Sequence, residues 1–126
     1  MGLYQHAYIA ELDDIIDSFH TKLSDDDLWG CEFWHWGKDY DIFDWMRSLY
    51  QKKKKAMNLE PSEMHGSDEM ELTKEDLDLL EQDLDSGRLK FPQSTHPKWV
   101  EQNVRGFIEM ARRQIKEGFY VYYSFD

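Results

Sequence analysis

Four of the five tryptophans, Trp29, Trp34, Trp36 and Trp45, fall within the seventeen residues WGCEFWHWGKDYDIFDW, interleaved with Glu32, Asp39, Asp41 and Asp44. Large rings with a polar edge are costly to leave in water, so such density marks either a core hub or a recognition surface. Only Trp45 sits on a clear helical stripe, with Ile42, Met46 and Leu49. Trp29, Trp34 and Trp36 are therefore the candidates to face a partner. A second reading stacks a nucleobase on Trp34 and Trp36 and sets Lys38 or Arg105 against its phosphate.

A second constellation is acidic. Glu75, Asp76, Asp78, Glu81, Asp83 and Asp85 lie on one short helical stretch. At a rise of about 1.5 Å per residue this is about one charge per 2.7 Å, within a factor of two of duplex DNA. Together with Asp13, Asp14, Asp17 and Asp25 to Asp27, such a face has the charge density of a DNA mimic. The bland alternative is a solvated helix face. Lys98, Arg105 and Arg112 recur every seven residues and either steer an anion or pair with those acids.

Other chemistries lack a signature. His6, His20, His35, His65 and His96 are scattered and Cys31 is the single cysteine, so no metal is expected. Asp39, Asp41 and Asp44 lack the glycine and terminal glutamate of a calcium loop and read as a helix start. There is no nucleophile elbow and no phosphate loop, which points to a non-enzymatic protein without cofactor.

The chain has 126 residues and a formal charge of -11, unevenly spread. Residues 1 to 47 hold eleven acids against three bases, whereas residues 88 to 126 hold seven bases against four acids. An acidic surface disfavours direct binding of nucleic acid and of membranes and favours a protein with a basic surface. The lone cysteine and the absence of a long apolar run or basic leader in MGLYQHAYIA lead to the expectation of a reducing cytoplasm.

The elements that must position these groups follow from periodicity. Leu12, Ile15, Ile16, Phe19 and Leu23 predict an amphipathic helix, extended back to about Gln5, although Leu3 to Ile9 also alternates as a strand. Ser24 to Asp27 break it, and Leu28 to Trp36 reads as extended. A helix follows from Asp39 to about Lys54, with acids early and Lys52 to Lys55 late. Residues 58 to 71 read as a mobile linker. Thr73 and Asp76 approximate a capping box for a helix carrying Leu77, Leu80 and Leu84, closed by Gly87. Pro97 starts the last helix, with Val100, Val104, Phe107, Ile108, Ala111 and Ile115 inward and Gly118 as its stop. The tail FYVYYSF predicts a strand pairing with residues 30 to 36 or with the N-terminus. The expectation is one α+β domain over 1 to 126, mainly α, with about four helices and a small antiparallel sheet.

Several pieces together resemble a family of small, mostly uncharacterised phage and bacterial proteins. They are the opening MGL, Trp36-x-Lys38 followed by Ile42 and Trp45, LTKEDL at 72 to 77, FPQ at 91 to 93 and the terminal YYSF. Where the family's central helix carries arginine, asparagine and histidine, this chain has Gly37, Tyr40 and Phe43. The resemblance implies a compact α+β fold and a phage origin, which makes the expected cytoplasm that of a host. With the charge pattern, it implies a protein that inhibits or redirects a host protein of the defence or nucleic-acid-processing machinery. The candidate contacts are Trp29, Trp34, Trp36, Asp76, Asp78, Glu81, Asp83 and Asp85.

Overall fold

The C-terminal aromatic segment organises the molecule. In the computed structural model, which describes residues 3–126, β6 (Tyr120–Phe125) lies inside a four-stranded antiparallel sheet of order β4-β1-β6-β5. Its neighbours are β1 (Gln5–Ala10) and β5 (Glu69–Leu72), and β4 (Glu32–Trp36) pairs with the far side of β1. Ala7 lies opposite Tyr123, and Tyr123 opposite Met70, so one face of the sheet is apolar. The result is the expected α+β fold, mainly α, with the C-terminal strand in the sheet.

That face is covered by α2 (Tyr40–Ala56), α3 (Lys74–Asp85) and α4 (Pro97–Lys116). Ile42, Met46, Leu77, Leu80, Val104 and Phe107 fill the interface with Ala7, Met70, Val121 and Tyr123. Thr73 and Asp76 form the capping box that starts α3. Gly87 and Gly118 end α3 and α4 in the left-handed region, at φ 76 and 99, where a side chain would be strained. At the centre, buried Gln5 accepts from the Tyr123 hydroxyl at 2.6 Å and donates to the carbonyls of Gly37 and Asp39. This satisfied network fixes the turn between β4 and α2 against the sheet.

The opposite face carries a smaller core of Tyr8, Ala10 and Tyr122 with Ile15, Leu23, Leu28 and Cys31. Here the helix expected from Gln5 to Leu23 is absent. The chain forms β1, a 3-10 turn (Leu12–Asp14), and a hairpin of β2 (Ile15–Asp17) and β3 (His20–Thr21). Leu12 and Ile16 are exposed, and of the supposed stripe only Phe19 is buried. Pairing with β6 outweighs local helical period, because β1 buries both its faces in the middle of a sheet. Asp17 accepts from the Phe19 backbone, and Tyr122 donates to the Asp17 carbonyl, both incompatible with a continuing helix.

Two further boundaries differ from expectation. Ser24 to Asp27 begin a helix instead of breaking one: Ser24 and Asp27 form a capping box for α1 (Asp25–Cys31), which carries Trp29. Residues 58 to 71 are tethered at their C-terminal half, where Met64 is buried, Ser67 donates to the Phe125 carbonyl and Glu69 opens β5. Of the family-like opening, Met1 and Gly2 lie outside the described residues. Among the described residues no helix is long and apolar enough to cross a membrane.

Candidate partner-binding site

The carboxylates of α3 are mostly committed within the molecule. Arg112 donates to Asp78 at 2.7 Å and Glu81 at 3.0 Å, and Arg105 donates to Asp85 at 2.9 Å. Asp83 accepts from the Trp45 indole at 2.9 Å and from Arg88 at 3.0 Å. Asp76 caps the helix and pairs with Lys53. Glu75 alone of the six is exposed without an ion-pair partner among the described residues. The seven-residue spacing of Arg105 and Arg112 along α4 matches the acids of the packed α3, so the basic stripe closes on the acidic one.

The tryptophans divide. Trp36 is 2% exposed and packs edge-on to Phe107 at 4.6 Å, which makes it a core residue and corrects the expectation of a partner-facing ring. Trp34 is half-buried, and its ring leaves only 3.3 Å to a Cβ placed on Gly106. The indole N–H groups of Trp34 and Trp36 are buried without an acceptor. Trp29 is 79% exposed. The fifth tryptophan, Trp99, is also exposed. Its position outside the inward stripe of α4 was a readable signal that the clustering of the other four obscured.

Trp29 stands at the mouth of a cavity of about 270 Å³ between α1 and the sheet, lined also by Tyr4, Leu28, Glu32, Asp25 and Asp126. Glu32 is its fixed centre. It accepts from the Tyr4 hydroxyl at 2.9 Å and lies 3.2 Å from Nδ1 of His6, which is 8% exposed. Tyr4 stacks on His35 with ring centres 5.8 Å apart. Burial and then Glu32 push the Tyr4 hydroxyl up to about 12, so it remains a proton donor to the carboxylate.

Unpaired acids gather around Cys31 at the end of α1, and Asp25 at its start lines the cavity. Burial pushes the Cys31 thiol up, and the charges of Asp14, Asp27 and Glu11 push it further, which places the 3-10 turn and α1 carboxylates around one point. Asp27 is held below the usual range by the Ser24 backbone and hydroxyl, while Glu11, Asp13, Asp14, Asp25 and Asp26 form no ion pair among the described residues. Carboxylates beside exposed aromatic rings hold an ammonium or guanidinium group by charge and by the ring face. Tyr4 and His6 were not singled out in the sequence, because only the β1–β4 pairing brings them to Glu32.

The alternative ligand set is only partly assembled. Trp34, Trp36 and Lys38 line an open groove of about 550 Å³ with Trp99 and Asn103, whereas Arg105 is engaged by Asp85 and Glu101 elsewhere on α4. Among the described residues no group of three or more His, Cys, Asp or Glu side chains could hold a metal ion. Comparison of the chain with protein-family models, curated proteins and solved structures gave no match.

Proposed function

We propose that this is a non-enzymatic interaction protein that binds a basic surface of another protein by taking a lysine or arginine side chain into the cavity between Trp29, Tyr4 and Glu32. The observation that carries the reading is the 79% exposure of Trp29 at the mouth of a carboxylate-lined cavity. A tryptophan in that position is poorly solvated alone and becomes a desolvated anchor once a partner covers it. The neighbouring unpaired acids raise the association rate with a basic partner.

The resemblance to phage and bacterial proteins makes a host protein of the defence or nucleic-acid-processing class the proposed partner, inhibited or redirected by occupation of its basic site. Any mimicry of DNA rests chiefly on Glu11, Asp13, Asp14, Asp25 and Asp26, since α3 has most of its charge answered by Lys53, Arg88, Arg105 and Arg112. The nucleotide reading is the weaker one, because a phosphate in the tryptophan groove meets Lys38 beside Asp39 and no arginine.

The test is affinity capture from bacterial lysate at about 0.1 M salt, where the screening length is about 10 Å, and then at higher salt. The expected result is a basic, nucleic-acid-binding protein that salt releases and that Trp29→Ala and Asp25→Lys/Asp26→Lys fail to retain while each still unfolds in a cooperative urea transition. Equal retention by both variants rules out the cavity as the site. If wild-type protein retains no basic protein, the interaction reading itself falls.

A further inference from the structure

The two edges of the sheet are finished differently. At β5 the hairpin covers the edge: the Glu71 backbone N–H donates to the Ser18 carbonyl at 2.8 Å, and the Glu69 carboxylate accepts from the Thr21 backbone and hydroxyl. At β4 the only strand partner is β1, and among the described residues no other backbone hydrogen bond reaches Phe33, Trp34, His35 or Trp36. An antiparallel edge strand with its outward N–H and C=O groups unpaired is a template for another strand, and proteins normally blunt it with lysine, proline or a covering loop. β4 contains no lysine or proline, and its one charged residue, Glu32, is turned to Tyr4 and His6; the irregularity in its pairing with β1 falls at Phe33, which leaves Trp34 to Trp36 as the regular edge.

Alongside that edge runs the groove of about 550 Å³, lined by Phe33 to Asp39 on one side and by Trp99 and Asn103 of α4 on the other. Trp99 is 64% exposed and has its ring free to cover what enters. We propose that the β4 edge is a strand-addition site for an extended, basic segment of a partner protein. Main-chain pairing to β4 supplies the register, and alternate side chains of the segment meet the groove and Trp99.

Charge selects the occupant. Residues 25 to 44, which hold α1, β4 and the start of α2, carry seven acids against the single base Lys38. A second copy of the chain would bring another -11 onto the same edge, so self-pairing is opposed where a lysine-rich segment is drawn in. A nucleotide would find one lysine with Asp39 beside it. The inference extends the interaction reading and shares its acids, but the pairing edge and Trp99 lie outside the Trp29 cavity, so the two can fail separately.

The experiment uses the isotope-labelled full chain and a blocked synthetic peptide, Lys-Val-Thr-Val-Lys-Val-Arg, as probe. At about 1 mM peptide, enough to populate even a weak complex, exchange of the outward-facing amides among residues 33 to 36, every second one, should slow about tenfold or more, and β5 amides should not change. Trp99→Ala, at an exposed position, should weaken the peptide about tenfold, while Trp29→Ala should leave it unchanged. The same peptide with every backbone nitrogen methylated, so that neither edge keeps a donor, should give no protection. Equal protection by the methylated peptide, or none by either, overturns the proposal. So does concentration-dependent protection without peptide, which assigns the edge to a second copy, or displacement by adenosine monophosphate, which assigns the groove to a nucleotide.

Discussion

Glu71 and Asp83 are carboxylates shifted in opposite directions by their surroundings. Burial pushes Glu71 above its ordinary 4.5, and Lys53 and Ser18 do not fully offset it. Burial also acts on Asp83, but hydrogen bonds from the Trp45 indole and Arg88 outweigh it and hold that carboxyl below 3.8. The stability Asp83 contributes is therefore present above its unfolded value and lost as pH falls through its lower folded one. For Glu71 the sign reverses: the ionised form is disfavoured in the folded state, so the penalty is complete above the raised folded value and disappears once pH is below 4.5. Glu71→Gln is expected to be more stable than wild type at pH 7 and indistinguishable from it at about pH 3.5, below the ordinary glutamate value. Urea melts at the two pH values check this. A Gln variant less stable at pH 7 would mean that the Lys53 attraction dominates.

At the scale of elements, Asp76 joins two devices. Its side chain closes the α3 capping box by accepting from the Thr73 backbone, and it pairs with Lys53, whose side chain is 15% exposed. Thr73→Ala removes the hydroxyl that accepts from Asp76 N–H, together with a methyl group, and should cost about 1 kcal/mol. Asp76→Ala should cost more, because it also leaves a largely covered ammonium without its carboxylate. Thermal melts of the pair rank them, and equal losses would reduce Lys53–Asp76 to a surface contact. This helix was legible in the sequence down to its cap, as were α2, α4 and the C-terminal strand, since their periodicity, glycine stops and charge order agree. The first third was not. Leu12, Ile15, Ile16 and Phe19 happen to fall at helical spacing, and the alternation of Leu3 to Ile9, which marks the strand Gln5–Ala10, competes with a helical stripe that continues through the same residues. The site divides in the same way. Trp29 and the acids around it could be named from sequence, but which carboxylates stay unpaired depends on α3 packing against α4, a long-range fact that no local pattern carries.

Across the whole molecule, this packing answers much of the acidity of α3 and leaves acids elsewhere, including those of the 3-10 turn and the start of α1, without ion pairs among the described residues. α4 lies on α3 and pairs Arg105 and Arg112 with its acids, while Glu11, Asp13, Asp14, Asp25 and Asp26 form no ion pair among the described residues, and Asp25 lines the Trp29 cavity. Mutual repulsion there destabilises the folded state, and salt relieves it, because the screening length falls from about 30 Å at 0.01 M to about 8 Å at 0.15 M. Wild-type protein should therefore melt higher at 0.15 M than at 0.01 M sodium chloride. Asp13→Asn/Asp25→Asn/Asp26→Asn should melt higher than wild type at low salt and respond less to added salt, since three of the repelling charges are gone. If neutralising Glu75, the exposed acid of α3 without an ion pair, flattened the salt response as much as neutralising those three, the repulsion would be spread over the molecule, and the acids near α1 would lose their claim to be the surface held open for a basic partner.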